Sequence, residues 1–170
     1  GDMAFAHCYL PDFFAVVRAV AKAGSLAQWL AAFEAAPKKS NEQVQVINIL
    51  AMGACYSPNP RKAPPFAFDL PFDLATGAVD DTTWRRWLAW DPVTLLESPR
   101  HADALRGMRW VFLDCGTKDE FRLDLGARIF AAKLRALAIA HEHAEFDDGH
   151  MAITYRYDVS VPTLAKAISA

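Results

Sequence analysis

Cysteine is scarce in this sequence. Cys8, Cys55 and Cys115 lie far apart, are odd in number and form no CxxC pair. That excludes a disulfide framework and a zinc–cysteine site, and it fits a reducing cytoplasm. Charge of one sign is also lacking: Lys+Arg 18 against Asp+Glu 20 leaves a net −2. With no basic excess to neutralise phosphates, nucleic-acid binding through a charged face is not expected. Long apolar runs are missing too. Arg18 interrupts 13–21 and Lys133 interrupts 131–140, so no stretch reaches the roughly 18 residues of a membrane span. No repeat, low-complexity run or basic–apolar–small leader is visible. The opening Gly-Asp-Met-Ala-Phe reads either as two extra residues ahead of Met3 or as the middle of a larger protein.

What is present is a globular composition, 53% hydrophobic and 22% charged over 170 residues, enough for one domain or a domain with a sub-domain. Residues 1–106 read as helices joined by proline-rich loops. Apolar residues recur on a helical period over 13–23 and stop at Ala23-Gly24. Ser25 is placed to cap a helix over 26–35, on which Trp29, Leu30 and Phe33 share a face. The segment 42–52 fits a helix and a strand equally. Five prolines between Ser57 and Pro71 predict an extended loop. Asp80-Asp81-Thr82 then caps a short helix whose Trp84, Trp87 and Trp90 recur every three residues along one side.

Residues 107–170 have a different texture. Arg109-Trp-Val-Phe-Leu-Asp114, aromatic and β-branched between Gly107 and Gly116, reads as a buried strand. Leu123, Ala127, Phe130, Leu134 and Leu137 make an amphipathic helix over 123–140. A second strand is predicted over 141–146, cut off by Asp147-Asp148-Gly149. A last helix is predicted over 154–168, which Pro162 is placed to split. Strand, helix, strand, helix predicts the tail of a parallel α/β sheet with a right-handed crossover. Two strands cannot complete a sheet, so an edge of 109–114 is expected to be unpaired and apolar.

In such sheets functional groups gather beyond the carboxyl ends of the strands. Cys115-Gly-Thr-Lys-Asp-Glu120 follows the first strand and Asp147-Asp-Gly-His150 the second. Neighbouring parallel strands end on one edge, which would set Asp119 beside His150. An Asp accepting from one imidazole nitrogen fixes the tautomer and leaves the other nitrogen to act as a base. Gly116 and Gly149 would permit the tight turns. The plainer alternative stays open: Asp119 as the cap of the next helix, and Gly149-His150 as a surface turn.

The segment Val111-Phe-Leu-Asp-Cys-Gly-Thr-Lys-Asp-Glu-Phe121, a helix, and then His143-Ala-Glu-Phe-Asp-Asp-Gly-His-Met151 resembles the end of the esterase-D-like branch of the α/β-hydrolases. The resemblance implies an α/β fold. Residues 107–170 would be the C-terminal part of an α/β-hydrolase parallel sheet carrying the acid and histidine loops. Residues 1–106 would be a mainly helical lid over the active site. It implies Asp119 as triad acid and His150 as base, with Asp114 and Glu120 as fallback acids, and no cofactor. Tyr56, Trp84 and Trp87 would line a pocket for a small-molecule ester, although packing as the core of the helical insertion accounts for the tryptophans better.

The departure from that family is the nucleophile. Its members carry Ser, acid and His in that order, with the serine on a Gly-x-Ser-x-Gly elbow. Here Ser25, Ser40, Ser57, Ser98, Ser160 and Ser169 all lack the flanking glycines. The oxyanion hole is also expected upstream, and 3–10 resembles the stretch after the strand that follows the nucleophile helix. The expectation is therefore the C-terminal half of a serine ester hydrolase, inactive alone. Either its missing N-terminal half accompanies it, or it self-associates through the open strand edge. A non-catalytic binding module, and a peptidase or acyltransferase of the same fold, are the rival readings. His141-Glu-His143 has no third metal ligand and reads as exposed strand. Adjacent His7-Cys8 does not make a nucleophile pair. Arg85-Arg86 reads as a solvated face.

Overall fold

The helical period that starts at Phe13 in the sequence extends back to Phe5. In the computed structural model, which describes residues 2–169, helix α1 runs Phe5–Ala23 with Pro11 inside it. The stretch 5–10, expected to follow a strand, is thus its first turns. Helix α2 spans Leu26–Ala35, and the Ser25 hydroxyl caps it by accepting from the Gln28 N–H. The ambiguous segment 42–52 lies within helix α3, Asn41–Tyr56. A capping box starts it, with Ser40 and Gln43 each satisfying the other's backbone N–H. Asp80 caps helix α4, Asp81–Leu88. Trp90 lies beyond that helix and is 59% exposed while Trp87 is fully buried, so the three indoles do not form one stripe. Between α3 and α4 the proline-rich chain makes only isolated bridges, Pro58 to Phe68 and Phe72 to Val79.

The chain divides into two compact units, Tyr9–Trp90 and Gly1–Cys8 together with Asp91–Ala170. The first is built on aromatic packing. Phe13 stacks on Phe72 at 4.4 Å, and Trp87 meets Tyr9, Phe13 and Tyr56 edge-on at 5.5 to 5.8 Å. The Trp87 indole N–H donates to Ser57 Oγ at 2.8 Å, so its burial leaves no polar group unpaired.

In the second unit Asp91 caps helix α5, Pro92–Leu95. Its buried carboxylate also accepts from the N–H groups of Ala4 and Phe5 at 2.9 and 3.1 Å. Helix α6, Pro99–Arg106, leads to strand β1, Phe112–Gly116. Helix α7, Leu123–Ala136, and strand β2, Glu142–Phe146, follow, and β2 lies parallel to β1 with Phe112 opposite Glu142. Helix α7 stops short of 140, and Ala138 turns the chain with φ 52°. Leu113, Phe130, Leu134 and Ile139 form the core with Ala4, Val93, Leu96 and Ala102. After β2 a 3₁₀ turn at Thr154–Arg156 continues into helix α8, Tyr157–Ser169, which Pro162 does not split.

The expected fold class is corrected by this architecture. The chain is mostly helical, 57%, and among the described residues its sheet has two strands of five residues. An α/β-hydrolase sheet with alternating strands and helices is not what this chain forms. The physical reason is local: capped helices take up most of 5–56, and strand-forming residues are confined to two short runs next to the loops at 116 and 147. Alternation occurs once, as a single β–α–β unit.

No described helix is long and apolar enough to cross a membrane.

Candidate functional site

The β–α–β unit sets two loops side by side. The Glu142 N–H donates to Val111 O at 2.9 Å and the Thr117 N–H to Phe146 O at 2.8 Å. This register sends the first residues past β1 and the first past β2 to one edge. The loops then bind each other, with the Lys118 N–H donating to Asp148 O at 3.0 Å and Lys118 Nζ 2.8 Å from Asp147 Oδ1. Gly116 makes this approach possible. A Cβ there would overlap the carbonyl oxygens of Asp148 and Gly149, so glycine serves close packing and not a left-handed turn.

At this edge Asp119 and His150 meet: His150 Nδ1 lies 3.0 Å from Asp119 Oδ2. The Asp119 side chain is 2% exposed and that of His150 39%. Asp119 Oδ1 accepts from the N–H groups of Phe121 and Leu123 at 2.8 and 3.3 Å, so the carboxylate also starts α7. One oxygen thus braces the turn into α7, whose N-cap residue Arg122 makes no side-chain cap bond, and the other meets the imidazole. Phe121 stands edge-on to the imidazole at 5.0 Å and limits its rotation. His150 Nε2 has no hydrogen-bond partner among the described residues. Nδ1 as donor to Asp119 leaves Nε2 with a free lone pair, the arrangement of a general base.

The two fallback acids have other partners. Asp114 Oδ2 accepts from Arg156 Nε at 3.0 Å, and Glu120 Oε2 accepts the backbone N–H of His150 at 2.9 Å. Asp119 alone of the three holds the ring. Sequence reasoning missed Phe121; its position two residues after the acid, in Asp-Glu-Phe, is the signal that points to it.

The dyad borders a cleft of about 320 Å³. All of β1 forms one wall, and Met3, Leu123, Ala127 and Ile153 make the rest apolar. Cys115 lines it too, but it is not a nucleophile: burial, and then the neighbouring Asp119 charge, push its thiol up to about 12. Burial likewise lifts Cys8 to about 11, and its thiol donates to Met3 O at 3.2 Å.

The serines are placed elsewhere. Ser57 is fully buried, donating to Asp69 O at 2.6 Å and accepting from Trp87. Ser25 and Ser40 cap helices, and Ser98 sits at the start of α6. Ser160 and Ser169 donate to carbonyls one turn back, at 3.3 and 2.7 Å. No serine hydrogen-bonds His150 among the described residues.

Tyr56, Trp84 and Trp87 lie together in the aromatic unit, with Trp84 and Tyr56 at 6.0 and 5.6 Å from Trp87. Trp87 is fully buried there. That unit also holds a larger hollow of about 620 Å³, but its carboxylates are committed. Asp69 binds Asn59, Lys62 and Arg86, Asp73 binds Thr76, and Asp80 binds Thr82 and Thr83. His141 Nδ1 contacts Ile139 O at 2.8 Å, and no cluster of three metal-ligating side chains occurs among the described residues.

No protein-family model matches the chain, and no curated protein matches it.

Proposed function

We propose that this chain supplies the acid and the general base of a serine ester hydrolase whose nucleophile lies on another segment. The carrying observation is the 3.0 Å contact between buried Asp119 and the Nδ1 of a half-exposed His150 whose Nε2 is open. In this reading His150 Nε2 takes the proton of an incoming serine hydroxyl as its oxygen attacks the ester carbonyl. Asp119 stabilises the imidazolium, which then protonates the leaving alcohol. Water, deprotonated by the same nitrogen, releases the acid product and frees the serine. The dyad supports hydroxyl activation; the choice of an ester as acyl donor comes from the resemblance of 111–121 and 143–151 to esterases.

The same reading names a partner. The register turns the backbone groups of Phe112 and Asp114 away from β2, and no second strand covers them among the described residues. The segment that brings the serine would pair along this edge, beside the cleft.

The test is capture of the polypeptide from its natural source under native conditions, fluorophosphonate labelling and denaturing mass spectrometry. The expected adduct is on a serine outside these 170 residues. Its labelling rate should fall by about 10⁴-fold in Asp119→Asn. An adduct on Ser25, Ser40, Ser57, Ser98, Ser160 or Ser169 would overturn the reading. The absence of any labelled serine would overturn it in favour of a binding module.

A further inference from the structure

Asp119 orients the imidazole of His150, but a different side chain holds its backbone. Among the described residues, main-chain bonds tie the histidine loop to the acid loop only as far as Asp148. Past that point the chain leaves through exposed Met151 and Ala152, the latter in the left-handed region at φ 60°. Glu120 acts between these two. Its Oε2 accepts the His150 N–H at 2.9 Å. Its carboxylate lies against Gly149, where an added Cβ would come 2.8 Å from Oε1. Adjacent carboxylates therefore grip one residue at two points, Asp119 at the ring and Glu120 at the main chain.

We propose that Glu120 is a positioning residue for His150, its carboxylate fixing the histidine backbone so that the Nδ1–Asp119 bond persists while Nε2 exchanges a proton. This rests on the reading of Asp119 and His150 as acid and base. Two-point fixation matters because an error of about 1 Å in a reacting group costs on the order of 100-fold in rate. It also gives Gly149 a reason: a methyl there would displace the carboxylate from its place over the turn.

The measurement is proton–nitrogen NMR of the histidine side chains in the full chain. The wild type should show His150 as the Nδ1–H tautomer, with a low-field proton protected from exchange. Glu120→Ala should lose that protected resonance, and Glu120→Gln, whose amide oxygen still accepts, should retain it. Gly149→Ala should behave like Glu120→Ala and serves in its place if that variant does not fold. Persistence of the wild-type resonance in Glu120→Ala or Gly149→Ala overturns the proposal, as does its loss in Glu120→Gln. Failure of the underlying dyad is seen separately, as an Asp119→Asn variant in which tautomer and exchange are unchanged.

Discussion

The two units reach order by different physics. In Tyr9–Trp90 large rings converge until Trp87, Tyr9 and Phe13 lose nearly all contact with solvent, and the indole N–H carried inside by Trp87 is met by Ser57. In the unit with the sheet the core is mostly aliphatic around Phe130, and much of the organisation comes from backbone brought close to backbone and from carboxylates that cap, clamp or pair. Asp91, Asp119 and Glu120 each accept main-chain N–H groups there. That unit also holds a helix with no buried residue. In α8 the apolar Tyr157, Val161, Leu164 and Ile168 face out, while Ser160, Thr163 and Ala167 are the half-covered ones. The aromatic unit exposes only scattered apolar residues such as Phe14 and Trp90, and the other leaves a helical stripe of them uncovered.

The sharpest way to break this contrast is Trp87→Ala. Deleting a fully buried indole should destabilise the aromatic unit by about 3–5 kcal/mol, read from urea unfolding followed by near-ultraviolet circular dichroism. A loss below about 1 kcal/mol would mean that the aromatic cluster is not what holds this unit.

A smaller effect is expected from Asp69, where hydrogen bonds from Asn59 and Lys62, and then Arg86, hold the carboxyl down at about 2. A depressed folded-state value contributes stability above the ordinary 3.8 and loses it as pH falls to about 2. Asp69→Asn should therefore cost roughly 1 kcal/mol at neutral pH, and the difference from wild type should vanish as pH drops through that window. Urea midpoints that keep the same separation from pH 7 to pH 2 would rule this out.

The smallest effect belongs to α8. Leu164→Ser should change stability by no more than about 0.5 kcal/mol, because the side chain is 46% exposed and packs little. A cost above about 1 kcal/mol in the same assay would show that the outward stripe is covered.

Local signals are legible where they are self-contained. Ser25 and Asp80 cap the helices they precede, and the period of Leu123, Ala127, Phe130 and Leu134 became α7. The dyad was legible because parallel strands end on one edge, so a carboxylate after one and a histidine after the other are neighbours whatever else surrounds them. The fold class was not legible. Short apolar runs look alike whether a sheet of many strands or of two receives them, and 42–52 carried no period that separates helix from strand. The capping box at Ser40 and burial of Val46, Ile49 and Leu50 made that segment a helix.

By itself, then, the sequence determined which residues start or stop helices, since that depends on groups within a few positions, and it placed Asp119 beside His150 because neighbouring parallel strands end on one edge. Only the tertiary structure decided which carboxylate grips the ring and which the backbone of His150. It also decided that Cys115 and Ser57 are buried and committed. Those outcomes depend on distances between residues far apart in the chain, and burial there changes both the charge a group can carry and the partners it can reach.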